Sequence, residues 1–409
     1  MKKPAHLEVL WHDGSRIGNL VNRGAIYFAY DEPWLASGRN LSPLALPFTN
    51  KPFNGTNGID GLPGLIFDCL PDAFGRKLAK RDFAQRKLGE PSTMELLAWR
   101  GRRGIGALQF KPALHHEGEL KGGRMESIEL AALARGALAI ERGEPSEVLQ
   151  QLERGGTAGG AYPKALVLAH PNGSLSVGEP TPTTVPFMAK FDTPERNGMS
   201  QCEHAYTKLA AMAGIRTVTT RLVPAGGAFH LLVKRFDVPE NGIGRYHCHT
   251  LSGFLHKQPR ELDYRDVFRA IIRMGLPREE LYEWARRTTF NLLASNADDH
   301  GKNHSFLYDE LGGWRLSPAY DMTFSESILD RGMAIAGEVW PSIASLTELF
   351  VSASLPKDEC QSLIGKVSEA ISLWPQVAAE CQVPESMVSH VQERIERVRR
   401  SVFPQTIAP

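Results

Sequence analysis

The sequence predicts an α+β protein in which a β-rich N-terminal subdomain precedes two lobes, the second of them mainly helical. Short segments with alternating apolar residues fill the first 30 residues, and further strand candidates follow a glycine-rich segment at residues 155–161. From Tyr264 onward, apolar residues recur instead at the three- and four-residue spacing of helices. We therefore expect three units, at residues 1–110, 111–245 and 246–409.

The composition is that of a folded protein without an extreme charge. The chain has 409 residues, of which 42% are hydrophobic and 23% are charged, which is enough for two or three domains with sizeable cores. Its formal net charge is +1. Bulk charge therefore gives no reason to expect a nucleic-acid or membrane partner, although a local basic face is compatible with it.

The cysteines and the apolar runs predict a soluble, cytoplasmic protein with no membrane contact. Five scattered cysteines without Cys-x-x-Cys spacing indicate neither a disulfide framework nor a zinc ribbon. They are Cys69, Cys202, Cys248, Cys360 and Cys381. The N-terminus lacks the apolar run of a signal peptide, and no segment approaches the roughly 20 apolar residues that span a bilayer.

In the first unit, strand candidates alternate apolar with polar residues and are separated by turn residues such as Asp13-Gly14. They lie at residues 7–11, 17–21 and 26–30. Residues 38–61 are rich in Gly, Pro, Asn and Ser, and this composition predicts a surface loop. Two helices are predicted after the loop, at residues 72–88 and 91–99.

The other two units have their own patterns. In the second, helices are predicted within residues 126–153 and at 200–212. Strand candidates there lie at residues 165–169, 186–191, 217–223 and 230–236. In the third, a β-hairpin is predicted around Gly312-Gly313, and the last helices lie near residues 362–373 and 385–400.

Two acidic motifs in the third unit have the spacing of a phosphotransferase centre. Protein kinases place a catalytic Asp, an Asn after four intervening residues, and a later Asp that holds Mg²⁺. Asp298 and Asn303 have that spacing, and Asp321 follows one hairpin later. We expect Asp298 to orient the acceptor hydroxyl, and Asn303 and Asp321 to hold the metal. Asp299 competes with Asp298, and only the spacing to Asn303 decides between them.

The glycine-rich segment and a following lysine support the same chemistry. Glycines allow backbone N–H groups to close on phosphate oxygens. The candidate phosphate-binding residues are Gly155, Gly156, Gly159, Gly160 and Ala161. Lys190 ends an apolar strand in the manner of a kinase phosphate lysine. Glu203, in the next predicted helix, is the candidate partner of Lys190.

Further polar residues are candidates for weaker reasons. Lys234 and Phe236 end the last strand of the second unit, where a hinge could bind the nucleotide base. His300 lies inside the Asp298–Asn303 loop, and we expect it to contact phosphate as part of the catalytic set rather than to bind metal. His247 and His249 match no zinc-finger spacing, and surface or packing roles are expected for them.

At these residues the chain resembles the HipA family of serine/threonine kinases, the toxins of bacterial toxin–antitoxin pairs. The similarity extends over most of the chain. It includes the N-terminal segments Leu70-Pro71-Asp72 and Gly104-Ile105-Gly106-Ala107, the segment Thr157 to Lys164, Arg235-Phe236-Asp237 and the two acidic motifs.

The resemblance implies a bilobal protein-kinase-like fold that uses ATP and Mg²⁺. It assigns the catalytic role to Asp298, metal binding to Asn303 and Asp321, and phosphate binding to Lys190. It also implies a DNA-binding helix-turn-helix antitoxin as partner, with DNA contact only through or beside it. The family's protein substrate is an aminoacyl-tRNA synthetase. Thr157 stands where family members carry an autophosphorylated Ser.

Three functions remain open at this point. The leading hypothesis is an ATP- and Mg-dependent serine/threonine protein kinase that acts as a toxin. An alternative is a co-repressor that binds a DNA-bound partner, with weak or lost catalysis. Small-molecule kinases share the Asp-x₄-Asn loop and are a third possibility. The complete set of Lys190, Asp298, Asn303 and Asp321 favours catalysis.

Overall fold

The computed structural model describes residues 4–114, 126–155, 162–192, 197–326 and 331–403. These residues form three antiparallel sheets and the helices that pack against them, which confirms the predicted α+β class. Within the described ranges, no helix combines the length and the apolar character needed to cross a membrane. The five cysteines are all described, and none forms a disulfide.

The first sheet has the strand order β4-β3-β2-β1-β5. Its strands are β1 His6–Leu10, β2 Arg16–Asn22, β3 Ile26–Tyr30, β4 Phe53–Asn54 and β5 Gln109–Lys111. The helices of this region are α1 Glu32–Ala36, α2 Gly64–Phe67, α3 Ala73–Gln85 and α4 Thr93–Arg100. Asp72 and Ser92 start the last two helices, because their side-chain oxygens accept backbone N–H groups of the first turn.

The second sheet has the order β10-β11-β9-β7-β8-β6. Its strands are β6 Glu126–Ile128, β7 Lys164–Ala169, β8 Leu175–Val177, β9 Val185–Lys190, β10 Thr220–Ala225 and β11 Ala228–Lys234. The accompanying helices are α5 Leu130–Glu141, α6 Leu149–Gly155 and α7 Met199–Met212. Because β9 is a central strand, its last residue, Lys190, is paired on both sides, with Leu231 of β11 and Lys164 of β7.

The third sheet is small, and the remainder of the chain is helical. Its strands, in the order β12-β13-β14, are β12 His247–Thr250, β13 Ser305–Asp309 and β14 Gly313–Leu316. The helices are α8 Leu251–Leu255, α9 Tyr264–Arg273, α10 Arg278–Leu293, α11 Ile343–Ser352, α12 Lys357–Ser372, α13 Trp374–Glu380 and α14 Glu385–Val402. The helix α10 leads directly into the segment with the first acidic motif.

The predicted surface loop at residues 38–61 is only partly at the surface. Leu41 and Ser42 are fully buried, and Ile59 is 2% exposed. The loop also contains the short strand β4 and a 3₁₀ turn. The prediction was wrong for these residues because Gly, Pro, Asn and Ser indicate irregular backbone but do not show whether another part of the chain covers it.

One helix of the first region belongs to the core of the second sheet. The helix α3 contacts α4 and α5, and its residues Phe74, Leu78 and Phe83 share one core with apolar residues of β7, β9 and β11. Leu7, Val9 and the other inward residues of the first sheet form a separate core. The first hundred residues therefore contribute to two cores, and α3 connects the first sheet to the second.

Histidines join the first region to the third sheet. His247 Nε2 donates to Leu41 O at 3.1 Å, and both residues are buried. His249 contacts Asp68 at 2.5 Å through Nδ1 and Ser42 Oγ at 3.0 Å through Nε2. The histidine pair that could have suggested a metal site instead has the packing role expected for it.

Helices α2 and α8 are closely packed at this contact between the first region and the third sheet. A Cβ placed on Gly64 would lie 1.8 Å from the carbonyl oxygen of Gly253, so neither backbone leaves room for a side chain there. The N–H of Gly64 donates to His256 Nε2 at 2.9 Å. The acceptor nitrogen must be unprotonated for this bond to exist.

Acidification is expected to weaken the protein through His256. Burial, with His249 nearby, lowers the pKa of His256 to about 4 from its ordinary 6.5. The unfolded chain therefore binds a proton between pH 6.5 and 4 that the folded chain does not bind. The stability that His256 contributes is fully present above pH 6.5 and is lost as the pH falls to about 4. Because the ring is partly exposed, we expect this loss to be about 1–2 kcal/mol.

Urea unfolding at pH 7.5 and pH 4.5 measures this loss. In His256→Gln, whose amide oxygen can accept the Gly64 N–H, the difference between the two pH values should shrink by that amount. His390→Gln, at an exposed position on α14, is the matched control and should behave as the wild type. An unchanged pH dependence in His256→Gln would contradict the assignment.

Candidate active site

Lys190 joins the second sheet to the helical part of the chain. It ends β9, and its ammonium lies 2.6 Å from Glu203 Oε1 on helix α7. The same ammonium contacts Asp321 Oδ1, a residue 131 positions further along the chain. The candidate pairing of Lys190 with Glu203 is therefore present, and Asp321 is a second carboxylate on the same lysine.

The charges of this cluster stabilise one another in a largely buried place. The three side chains are 18% exposed for Lys190, 13% for Glu203 and 22% for Asp321. Burial on its own lowers the pKa of Lys190, but Asp321 and Glu203 outweigh it and raise that pKa above its ordinary value. Burial likewise raises the pKa of Asp321, and Lys190 reverses this and lowers it. Lys190 and Asp321 are therefore charged at neutral pH.

Asp321 has a backbone conformation that is rare for a residue with a side chain. Its φ is +53°, in the left-handed region, where Asp is among the more tolerated residues. The preceding Tyr320 is fixed by a hydrogen bond to Lys302 O at 2.9 Å and by stacking on Phe236. Sparsely populated conformations of this kind occur preferentially at functional sites.

Asp298 lies in a loop whose backbone is held by hydrogen bonds while its carboxylate stays accessible. Ser325 Oγ accepts the N–H groups of Ala297 at 3.2 Å and Asp298 at 2.9 Å. The Asn303 side-chain amide donates to Asp298 O at 2.7 Å. The Asp298 side chain is 56% exposed, with Arg260 3.3 Å from its Oδ1. A fixed backbone with an open carboxylate suits a group that must meet a substrate.

The neighbouring Asp299 has the opposite environment. Its side chain is fully buried and forms an ion pair with Arg331 at 2.6 Å. The Tyr264 hydroxyl donates to it at 2.5 Å, and the N–H groups of Gly332 and Met333 donate at 3.1 and 3.4 Å. With all these donors around it, Asp299 has no room for a substrate. The Asp298 carboxylate is therefore accessible to a substrate, whereas Asp299 holds the loop to the residues that surround it.

Two histidines and a lysine follow the two aspartates in the Asp298 loop and its continuation. His300 is partly buried, and its Nδ1 atom has no hydrogen-bond partner among the described residues. His300 is among the groups near Asp321 that lower the pKa of that carboxyl. His304 is buried, and this burial lowers its pKa to about 3, so the ring is neutral. Lys302 places its ammonium 4.2 Å from the ring centre of Phe67, a residue of the first region.

Asn303 and Asp321 fit a Mg²⁺ site completed by phosphate. They line the same small cavity, together with Asn296 and His304. The Asn303 amide nitrogen is used by Asp298 O, which leaves its oxygen to act as a ligand. Mg²⁺ is often bound by one or two carboxylates with substrate phosphates and water, so a cage of protein ligands is not required. No cluster of three or more His, Cys, Asp and Glu side chains suited to a metal occurs among the described residues.

The predicted hinge residues lie beside this centre. Phe236 stacks on Tyr320 with ring centres 5.2 Å apart. Lys234 extends outward and pairs with the exposed Glu240 at 2.7 Å, and its backbone N–H is already bonded to Thr219 O. Arg235 and Asp237 form a buried pair at 2.6 Å. Of the two candidates, only Phe236 faces the site.

Two hydrogen bonds connect this hinge to the first region. Arg235 donates to Gly104 O at 3.0 Å, and the N–H of Gly106 donates to Asp237 at 2.7 Å. Two of the segments that suggested the family resemblance therefore meet in space, although more than a hundred residues separate them.

The glycine-rich segment falls almost entirely outside the described residues. This applies to Gly156, Thr157, Gly159, Gly160 and Ala161. Gly155 is described, and it ends the helix α6 rather than belonging to a loop. Composition alone could not place that boundary.

Sequence reasoning missed Ser325, Arg331 and the pair of Asp72 with Lys164. Ser325 and Arg331 follow the second acidic motif, but nothing in their spacing indicates that they return to the Asp298 loop. Lys164 opens a strand directly after the glycine-rich segment, and that position was a usable signal. The distances of Asp72 and Arg331 from their partners along the chain explain why no local pattern revealed them.

Comparison with known proteins gives matches over most of the chain. Residues 156–398 match the family model described as HipA-like C-terminal domain, and residues 7–111 match the HipA N-terminal domain. A putative kinase, Y4mE of Sinorhizobium fredii, is 24% identical over 94% of this chain and 96% of that protein. The serine/threonine-protein kinase toxin HipA of Shewanella oneidensis is 26% identical over 86% of this chain and 83% of that one.

A solved structure shows the same fold. The complex of HipA from Shewanella oneidensis MR-1 with HipB and operator DNA contains a chain that superposes with a TM-score of 0.68, at 21% identity. The superposition covers 96% of this chain and 97% of that one. The α+β, kinase-like architecture predicted from the sequence is thereby confirmed.

Replacement of the two adjacent carboxylates should separate their roles. Asp299→Asn leaves Arg331 as a buried cation without a carboxylate, and we expect it to lower the free energy of unfolding by about 3–5 kcal/mol. Asp298→Asn removes a half-exposed group and should change that free energy by less than about 0.5 kcal/mol. Urea unfolding at pH 7 measures both values. Equal losses of unfolding free energy in the two variants would contradict the assignment of a structural role to Asp299 alone.

Proposed function

The chain belongs to the HipA family, and from this premise we propose that it is an ATP- and Mg-dependent serine/threonine protein kinase and the toxin of a toxin–antitoxin pair. The observation that supports this proposal most directly is the arrangement around Lys190. A buried lysine is oriented by Glu203 and Asp321, and an accessible carboxylate, Asp298, lies on a loop joined to the same centre. This is the set of groups that phosphoryl transfer needs.

In the proposed reaction, Asp298 accepts the proton of a protein hydroxyl as the hydroxyl oxygen bonds to the γ-phosphorus of ATP. The bond between that phosphorus and its bridging oxygen breaks, and ADP leaves. Lys190 neutralises phosphate charge, and His300 provides a further contact at the phosphates. Asn303 and Asp321 would hold Mg²⁺, which supplies positive charge to the phosphate oxygens. Phe236 offers an aromatic surface that the adenine base of ATP could contact.

The proposed partner is a DNA-binding antitoxin of the helix-turn-helix type. The structure of the Shewanella relative contains HipB and operator DNA, and the present chain matches that HipA chain over nearly its full length. Contact with DNA is proposed only through or beside the antitoxin. An aminoacyl-tRNA synthetase as substrate and autophosphorylation of Thr157 stay predictions from the resemblance. So does a cytoplasmic location, for which the unpaired cysteines are the support.

The two other functions are less well supported. A co-repressor without catalysis would not require the Lys190–Glu203 pair or the fixed backbone of Asp298. A small-molecule kinase would use the same centre, but the match to HipA domains extends over the N-terminal region as well as the kinase part. A protein hydroxyl is therefore the preferred acceptor.

Loss of the Asp298 carboxylate should abolish transfer without loss of nucleotide binding. We expect Asp298→Asn to lower phosphate incorporation from γ-labelled ATP into proteins of a cell lysate by about 10²–10⁴-fold, the usual contribution of a general base. The matched control is Asp358→Asn, which removes an exposed carboxylate from the first turn of α12. Substantial transfer by Asp298→Asn would remove Asp298 from the reaction.

Nucleotide binding should depend on Mg²⁺ through Asp321. We expect chelation of Mg²⁺ to weaken ATP binding by the wild type at least about tenfold, since the metal supplies charge that the phosphates need. Asp321→Asn should show weak binding whether or not Mg²⁺ is present, whereas Asp298→Asn should respond to Mg²⁺ as the wild type does. Titration with a fluorescent ATP analogue measures this. A normal response to Mg²⁺ in Asp321→Asn would contradict the assignment.

A further inference from the structure

The segment Leu70-Pro71-Asp72 brings a carboxylate of the N-terminal region to the edge of the proposed phosphate site. Asp72 Oδ1 accepts the N–H of Gly75 at 2.6 Å and so caps helix α3. The other oxygen, Oδ2, lies 2.7 Å from the ammonium of Lys164. The two oxygens of this carboxylate therefore make two different contacts. The cap explains how α3 begins, but it does not require the contact with Lys164.

Lys164 lies directly opposite Lys190 in the second sheet. The two residues are paired in register between β7 and β9, so their side chains stand on the same face. Two like charges in that arrangement repel each other unless carboxylates neutralise them. Lys190 has Glu203 and Asp321 for this purpose, and Lys164 has Asp72.

The Asp72–Lys164 pair is nearly enclosed by the protein. The side chains are 10% and 4% exposed. Burial lowers the pKa of Lys164, and the nearby Asp72 and Asp321 offset this only in part. Without Asp72 the charged form of Lys164 would lose a carboxylate 2.7 Å away, and its side chain would lose a contact that helps to fix its direction.

We propose that Asp72 is a positioning residue of the nucleotide site, which holds Lys164 charged and beside Lys190 so that two ammonium groups face the phosphates. The inference rests on the proposed kinase function and deepens it. It makes the N-terminal region a structural part of the phosphate site, in addition to its packing through α3. It also gives a physical reason for an acidic residue in this segment.

The test uses the full chain with three variants: Asp72→Asn, Lys164→Met and the combination of both. Asn is as good a helix cap as Asp, so Asp72→Asn removes the charge and keeps the start of α3. We expect Asp72→Asn to raise the KM for ATP and the Kd for MgADP about tenfold, the equivalent of one charged hydrogen bond, with little change in kcat. Because the two residues act together, the double variant should bind no worse than Lys164→Met alone.

Glu141→Gln is the matched control. It removes the carboxylate partner of Lys77, which lies at the surface of α3, the helix that Asp72 caps. This variant should leave KM and Kd unchanged. Asp72→Asn with wild-type KM and Kd would overturn the inference, and so would a double variant that binds nucleotide like the wild type. If Asp72→Asn does not fold, the double variant, which carries no unpaired buried charge, decides the question.

Failure of this inference is distinguishable from failure of the proposed function. A wild-type protein that neither binds MgADP nor transfers phosphate would reject the kinase function itself. A wild-type protein that does both, together with an unaffected Asp72→Asn variant, would reject only the role of Asp72.

Discussion

The structure of the site depends on the ammonium of Lys190, which is shared by Glu203 and Asp321. The lysine comes from the central strand of the second sheet, one carboxylate from helix α7, and the other from the segment after the small hairpin. Charges in such a largely buried place must be paired, because loss of one partner would leave another charge without compensation for its desolvation. The interaction therefore links the second sheet to the helical region at the proposed phosphate site.

Two adjacent residues of one type show how environment assigns roles. Asp298 and Asp299 have the same side chain, yet the first is half-exposed and the second is fully enclosed by Arg331, Tyr264 and two backbone N–H groups. The difference follows from the direction in which the loop presents them. A buried, fully hydrogen-bonded carboxylate next to an exposed one keeps the loop in place while its neighbour stays accessible, and a group that must be positioned precisely requires such support.

Local patterns in the sequence predicted the elements well, and they also identified several residues that the structure brings together. The spacing of Asp298 to Asn303, the strand that ends at Lys190 and the helix with Glu203 are all short-range signals. Contacts over long separations were not predictable in this way. Asp72 and Lys164 are 92 residues apart, and no periodicity connects them. The buried part of residues 38–61 was missed for the same reason, since its cover comes from His247 and His249 in a distant strand.

The position of helix α3 has a consequence for how the chain folds during synthesis. Its apolar residues Phe74, Leu78 and Phe83 belong to one core with residues of β9, which are made roughly 100 residues later. At ordinary rates of translation this interval lasts on the order of 5–20 s. During that time α4 and α5 can already pack on α3, but the strands that complete this core are still missing. The core can therefore be completed only after β9 and β11 have left the ribosome.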